Sequence, residues 1–213
     1  MLKRRLGSVF VAMGAVLIIS ALLLFLYNEE ESENAGKAAG AALAAMQDAI
    51  DENKPPMLDF SEDEEAFAET IPEPTALTVV TIDGYNYIGY LSIPAFELEL
   101  PIMDTWSEDR LKVAPCLQYG SPLTDDAVIA GHNYRHHFLP LHSIETGEYL
   151  TFTDMTGYVI EYHVAEVKII DPRSVYEVIN SEYDLILYTC TTGGQSRVIV
   201  CCNRIEDISS AAG

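Results

Sequence analysis

An uncharged run of 23 residues, from Leu6 to Asn28, divides this 213-residue chain into two unequal parts. A helix needs roughly 20 apolar residues to cross a bilayer, so the run is long enough to span a membrane. Three basic residues at positions 3–5 precede it, and the first acidic residue follows it directly. Because cytoplasmic flanks carry the excess of Lys and Arg, we expect residues 1–5 to be a cytoplasmic tail, residues 6–28 a transmembrane anchor and the remainder extracellular.

A cleaved signal peptide is the competing interpretation of this end, since it also begins with basic residues. Its apolar region would be shorter, roughly 7 to 15 residues, and a small-x-small cleavage site would follow. Here the run ends in Leu-Phe-Leu-Tyr-Asn and three glutamates. The sequence therefore favours an uncleaved, single-pass anchor in the cell membrane.

The part of the chain beyond the anchor is strongly acidic. Three of the 12 Lys and Arg residues precede the run and all 33 Asp and Glu residues follow it, which leaves nine basic against 33 acidic residues, a net charge of −24 with neutral histidines. Such a surface repels nucleic-acid phosphates and anionic lipid headgroups. We therefore expect no nucleic-acid partner, and contact with the membrane only through the N-terminal helix.

Residues 29–76 are acidic and rich in alanine. Because alanine is the best helix former, a short helix is predicted within residues 35–51, and Pro55-Pro56 ends it. Few of its side chains are large and apolar, which predicts that this helix docks tightly on nothing. We interpret residues 29–76 as a stalk that holds a folded domain, residues 77–213, away from the membrane.

The folded domain consists of many short segments with the composition of β-strands. Apolar, β-branched and aromatic runs recur between residues 87 and 200, and residues 96–100 show the strict alternation of a half-buried strand. Gly and Pro turns separate these runs, and the domain contains neither a long amphipathic helix nor an internal repeat. The pattern indicates a closed β-barrel or a β-sandwich.

One predicted hairpin carries reactive groups. Residues 183–190 form a largely apolar segment that ends in Cys190, residues 198–200 are β-branched, and Gly193-Gly194 between them suits a tight turn. Arg197 begins the second strand, so a thiol and a guanidinium would lie close together. A neighbouring cation favours the thiolate, which is the nucleophilic form of cysteine.

The remaining cysteines are interpreted as buried, small apolar residues. Cys201 and Cys202 are adjacent in a predicted strand, where neighbouring side chains point to opposite faces, and this spacing does not suit two disulfides. Whether these two or Cys116 form any disulfide stays open. Cys190 stands apart from them because of the glycine turn and the arginine that follow it.

His132 follows a glycine at the end of the apolar segment 127–130. At a strand end its ring can face a cleft, stabilise a thiolate and protonate a leaving amine. His136 and His137 lie in a polar, aromatic loop and are interpreted as solvated, whereas His163 lies within a strand and is interpreted as structural. Zinc binding by the clustered histidines is an alternative, but no C-x-x-C or H-E-x-x-H motif is present, and we expect no metal and no cofactor.

Together these motifs resemble those of the sortases, membrane-anchored cysteine transpeptidases of mostly Gram-positive bacteria. The family's Thr-Leu-x-Thr-Cys signature is similar to Ile186-Leu-Tyr-Thr-Cys190, and its following arginine to Arg197. Its Gly-His pair after a hydrophobic strand is matched by Gly131-His132, and its opening strand pair by residues 88–94 and 100–102. The signature departs from the family's pattern only in its first residue, an isoleucine in place of threonine.

The resemblance implies an all-β fold, a closed eight-stranded β-barrel, with the active site at one end of the last two strands. It implies Cys190 as the nucleophile, His132 as the general acid and base, and Arg197 as the group that stabilises an oxyanion or the substrate carbonyl. Sortases attack the threonine carbonyl of a sorting signal similar to Leu-Pro-x-Thr-Gly at the C-terminus of a secreted protein. A thioester holds that protein until an amine of a cell-wall precursor or of a pilin resolves it.

Two other functions stay open at this stage. A membrane-anchored cysteine peptidase, a hydrolase of the thiol protease type, would use the same three residues for hydrolysis alone. A non-catalytic β-domain would present a binding surface, with Cys190 merely buried. The sorting motif, the sortase class, the oligomeric state and the choice between wall anchoring and pilus assembly do not follow from the sequence.

Overall fold

The computed structural model describes residues 2–53, 74–174 and 181–205 of the chain, with side chains from residue 10 onward. It begins with one long helix, α1, and a second, short helix, α2, lies between the third and fourth strands. The elements are α1 (Leu2–Asn53), β1 (Val80–Ile82), β2 (Tyr85–Ile93), β3 (Leu98–Met103), α2 (Glu108–Leu111), β4 (Cys116–Tyr119), β5 (Ala127–Ala130), β6 (Tyr149–Asp154), β7 (Val159–Ile170), β8 (Leu185–Cys190) and β9 (Arg197–Arg204).

Eight of the nine strands in the described residues close into a barrel. They are ordered β2-β3-β4-β5-β8-β9-β7-β6, and β6 pairs back with β2, while β1 extends β2 outside the ring. The β3–β4 and β5–β8 pairs are parallel, and the other pairs are antiparallel. Closure leaves the ring without unpaired edges. The predicted closed eight-stranded barrel behind an N-terminal helix is confirmed.

The pairing of β2 with β6 that closes the ring requires a glycine. Gly89 has φ 156°, and a Cβ at this position would lie 2.2 Å from the carbonyl oxygen of Thr153 on β6. No other residue allows the two backbones to approach so closely. Inside the ring, fully buried side chains such as Phe152 and Tyr162 form the main core, and each contributes about 1.5–3 kcal/mol by burial.

The second half of α1 packs along the outside of the barrel. Ala42, Met46 and Ile50, one turn apart, are 4%, 0% and 6% exposed and form a cluster with Tyr87 and Met103. The prediction that this alanine-rich segment docks on nothing is therefore wrong. Small alanine side chains allow the helix backbone to approach the barrel closely, so few large side chains are enough to fill the interface. The predicted helix end and the rest of the stalk, residues 54–73, lie outside the described residues.

The first half of α1 has an exposed apolar surface. Its large apolar side chains between Phe10 and Tyr27 are all more than half exposed, and this helix is long and apolar enough to cross a membrane. A single-pass anchor buries such side chains in lipid. The architecture is consistent with the predicted anchor, and its orientation stays a prediction.

Candidate active site

The β8–β9 ladder places Cys190 directly opposite Arg197. The two residues are Cα partners in the antiparallel register, and Cys190 is partly exposed. The turn between them contains Gly193 and Gly194 with φ of 88° and 74°, backbone conformations that favour glycine. The predicted hairpin therefore exists, and its thiol and guanidinium start from neighbouring backbone positions.

Hydrogen bonds to the turn hold the guanidinium of Arg197. Its Nη1 donates to the carbonyl oxygens of Gly194 and Ser196, each at 3.1 Å. Its Nε and Nη2 donate no hydrogen bond to the residues that the structure describes. A planar, permanently charged group with anchored Nη1 and free Nε–H and Nη2–H donors is suited to binding a carbonyl oxygen or an oxyanion.

His132 leaves the sheet at the same end of the barrel as Cys190. Strand β5 runs parallel to β8 with Ala130 opposite Tyr188, and the backbone N–H of Gly131 donates to the Tyr188 carbonyl at 3.1 Å. The ladder thus continues to the residue before His132. The fold brings the three predicted residues to one end of three adjacent strands, although no hydrogen bond joins their side chains within the described part of the chain.

Strand alternation places Cys190 on the outer face of the barrel. Leu185 and Leu187 belong to the barrel core, whereas Ile186 between them belongs to a separate buried cluster on the other face of the sheet. Cys190 has the same parity as Ile186, and Arg197 has the parity of Ile199, another member of that outer cluster. Because side chains alternate along a strand, both reactive groups lie outside the core, where a substrate can reach them.

The environment of His132 favours its neutral form. Burial lowers its pKa below the ordinary 6.5, and the nearby charge of Lys112 lowers it further, while the carboxylates of Glu108 and Glu31 act in the opposite direction. At neutral pH the ring is therefore mostly uncharged. A neutral imidazole can accept the proton of a thiol and later return it to a leaving group.

Two aromatic neighbours of the site were not predicted. The Nε2 atom of His142 donates to the carbonyl oxygen of Cys190 at 3.1 Å, which ties the end of β8 to a 3₁₀ turn at Leu139–Ser143. The ring of Tyr134 lies 4.7 Å from the ring of His132, centroid to centroid. No local sequence pattern identifies either residue, because both contacts depend on how the loop after β5 folds back.

The interpretation of His137 as solvated is wrong. Its side chain is 0% exposed, and neither ring nitrogen makes a hydrogen bond of normal geometry to the described residues, although the backbone carbonyls of Ala35 and Val113 lie close to the ring. Burial, followed by the nearby His132, lowers its pKa to about 4. His136, by contrast, is exposed as predicted, and its Nε2 lies 3.5 Å from the Glu33 carboxylate.

The other cysteines are buried and unpaired, as interpreted from the sequence. Cys116, Cys201 and Cys202 are free and inaccessible, so Cys190 alone among the four is partly exposed. Burial raises the pKa of Cys116 to about 12 and that of Cys201 to about 11. Their thiols stay protonated at neutral pH, and thiolate chemistry at these positions is disfavoured.

Across residues 2–53, 74–174 and 181–205, no three His, Cys, Asp or Glu side chains are grouped to hold a metal ion. His132 and His136 belong to different surroundings: the ring of the first packs against Tyr134, and the second faces a carboxylate of α1.

Comparisons with known proteins assign the domain to a family. The profile of the Sortase domain matches residues 91–205, more than half of the chain. A solved structure of sortase C1 from Streptococcus agalactiae is 25% identical, with a TM-score of 0.52, and covers 60% of this chain and 72% of its own. A lid mutant of the same enzyme is 20% identical, with a TM-score of 0.51, and covers 85% of this chain and 92% of its own.

A Clostridium perfringens Sortase D5 transpeptidase is 23% identical, with a TM-score of 0.51, and covers 56% of this chain and 79% of its own. At that identity the likeness shows the fold. A comparison with curated proteins finds no match. The family profile, the closed barrel and the hairpin that carries Cys190 agree, and the chain belongs to the sortase family of transpeptidases.

Proposed function

We propose that this chain is a membrane-anchored cysteine transpeptidase that cleaves a sorting signal similar to Leu-Pro-x-Thr-Gly and transfers the protein to an amine. The observation that carries the proposal is the register that sets Cys190 opposite Arg197, with His132 at the end of the adjacent parallel strand. Cys190 acts as nucleophile, His132 as general acid and base, and Arg197 as the stabiliser of the carbonyl oxygen. No step requires a cofactor.

The reaction proceeds in two acyl transfers. His132 accepts the thiol proton, the Cys190 sulfur attacks the threonine carbonyl carbon, and Arg197 donates hydrogen bonds to the oxygen that becomes negative. The C–N bond after threonine breaks, and protonated His132 gives its proton to the departing amine. An acceptor amine then attacks the thioester and gives a proton to His132, an amide forms as the C–S bond breaks, and the Cys190 thiolate leaves and receives that proton from His132.

The division of the chain follows this function. Residues 1–5 form the cytoplasmic tail, residues 6–28 the anchor, residues 29–76 the connecting segment and residues 77–213 the extracellular catalytic domain. The substrates are secreted proteins that end in a sorting signal, and the acceptor is an amine of a cell-wall precursor or of a pilin. The exposed apolar half of α1 supports the anchor, and the basic tail supports its orientation.

The test uses the full chain in nanodiscs with a Leu-Pro-x-Thr-Gly peptide library and an amine acceptor, followed by mass spectrometry. The wild-type chain should join the peptide to the amine, and Cys190→Ala should abolish both cleavage and joining. Cys116→Ala is the matched control, because this thiol is buried and free, and it should retain transfer. Transfer by the Cys190→Ala variant would overturn the proposal, and hydrolysed product alone at every amine concentration would identify a peptidase.

A further inference from the structure

The loop that follows His132 is held against α1 by polar contacts. The Arg135 guanidinium lies 3.0 Å from the Glu29 carboxylate, and the backbone N–H of Arg135 donates to Ser32 Oγ at 3.2 Å. One residue later, His136 Nε2 lies 3.5 Å from the carboxylate of Glu33. Three residues of α1, within little more than one turn, therefore contact two consecutive loop residues, which fixes the loop relative to the helix.

The packing between this loop and α1 is also close. Ser32 and Ala35 on the helix are 9% and 3% exposed. A Cβ at Gly36 would lie 2.8 Å from the Cβ and Cγ atoms of His136, closer than real atoms approach. The absence of a side chain at Gly36 thus allows the helix backbone to pack directly against the loop.

Tyr134 connects this interface to His132. Its ring packs against the His132 ring with a centroid distance of 4.7 Å and an interplanar angle of 31°. Its hydroxyl lies within hydrogen-bonding reach of the Glu31 carboxylate of α1, and burial, followed by that carboxylate, raises the pKa of Tyr134 to about 12. The phenol therefore stays protonated and remains a donor at neutral pH, and its ring forms one wall of the histidine's surroundings.

Glu31 also acts on His132 directly. The charged groups that face the imidazole are Glu31 on α1, Glu108 on α2 and Lys112 just beyond α2. The two carboxylates favour the protonated ring, against the burial that disfavours it. Glu31 thus has two effects, since it holds the tyrosine that packs on the imidazole and it makes protonation of that imidazole easier.

We propose that Glu31 and Tyr134 are positioning residues for His132, so that the turns of α1 from Glu29 to Gly36 form part of the active site. The inference rests on the proposed function only in giving His132 a proton-transfer role. An imidazole that must receive a proton from Cys190 and pass it to a leaving amine needs a fixed orientation. The ring of Tyr134 orients the imidazole by packing against it, and Glu31 on α1 is the partner of the Tyr134 hydroxyl.

The first test measures the pKa of His132 in the full chain, in nanodiscs, by NMR titration of its five labelled histidines, with His132→Gln used for assignment. Glu31→Gln should lower the pKa of His132 by about half a unit, because a favourable charge is lost. Tyr134→Leu should raise it towards 6.5, because the ring loses the cover that burial provides. Glu30→Gln removes an exposed carboxylate at the neighbouring helix position and should leave the pKa of His132 unchanged.

The second test follows transpeptidation. Tyr134→Leu should lower kcat about tenfold with KM nearly unchanged, because orientation is lost while substrate contacts remain. Tyr134→Phe retains the stacked ring but loses the hydroxyl that faces Glu31, so it should recover only part of this loss, and it also controls for folding. An equal His132 pKa in the Glu31→Gln and Glu30→Gln variants would overturn the proposal, as would a faster Glu31→Gln enzyme, which would mean that α1 obstructs the site.

The two proposals fail separately. If the wild-type chain transfers no peptide but the pKa of His132 shifts as expected, the positioning stands and the proposed function does not. If transfer occurs and requires Cys190, but the pKa of His132 is the same in the Glu31 and Tyr134 variants as in the wild type, the transpeptidase function stands and the positioning role of these two residues does not.

Discussion

Lowering the pH should destabilise this protein through His137. The unfolded histidine has an ordinary pKa of 6.5, whereas burial holds the folded one at about 4. Between these two values the unfolded chain binds a proton that the folded chain does not, so the free energy of unfolding falls as the pH falls from about 6.5 to about 4. One pKa unit corresponds to about 1.4 kcal/mol, which gives a loss of about 2 kcal/mol at about pH 4.5 and about 3 kcal/mol at lower pH.

The measurement is urea unfolding of the full chain in detergent micelles at about pH 7 and about pH 4.5. The fluorescence of Trp106, the single tryptophan, reports the transition. His137→Phe retains a ring of similar size next to Tyr134, which lies 5.4 Å from His137, and cannot bind a proton. We expect this variant to lose about 2 kcal/mol less than the wild type between the two pH values.

His163→Phe is the matched control, because His163 is exposed on β7. The many carboxylates of the chain also titrate in this range, but they contribute equally to all three proteins and cancel in the comparison. Equal losses in the wild type and the His137→Phe variant would refute the reasoning. Such a result would mean that His137 takes up its proton in the folded chain at the same pH as in the unfolded one.

Two further predictions concern the helix contact and the oxyanion group. Gly36→Ala should weaken the docking of α1 on the barrel, whereas Gly40→Ala, whose Cβ meets open space, should only gain about 1 kcal/mol of helix propensity. Hydrogen exchange of the α1 amides should therefore rise in the Gly36→Ala variant alone. Equal protection of these amides in both variants would contradict the close packing. Arg197→Lys retains the charge but loses the planar donors, so transpeptidation should fall about a hundredfold. Alkylation of Cys190 should continue in this variant. Transfer within about threefold of the wild type would exclude the proposed role of Arg197 in stabilising the carbonyl oxygen.

The barrel and the three proposed catalytic residues could be predicted from the sequence because the patterns that indicate them are local. A strand that ends in Cys190, a glycine turn and a second strand that begins with Arg197 fix the hairpin register by themselves. The Gly131-His132 pair marks the end of its strand in the same way. What these signals could not provide was the relative placement of β5 and β8, which depends on a parallel pairing across a long connection.

The docking of α1 and the burial of His137 could not be predicted from the sequence, for a physical reason. Alanine side chains bury little area each, so the stripe that includes Ala35 and Ala42 gives only a weak apolar pattern although both are nearly inaccessible. The burial of His137 is decided by a helix about a hundred residues away, as the contact of Arg135 with Ser32 shows. A polar loop therefore appears solvated in sequence until its tertiary partner is known.

The continuity of α1 fixes the distance between the proposed membrane anchor and the barrel. Its contacts with the loop after His132 begin at Glu29, the first residue beyond the proposed anchor. At about 1.5 Å per residue, Asn28 and Ser32 lie only about 6 Å apart along the helix axis. With the anchor in a bilayer, the catalytic end of the barrel is held at a fixed, small height above the lipid headgroups. We therefore expect the proposed transpeptidase to favour substrates whose scissile bond lies at that height above the membrane, in addition to any preference for sequence.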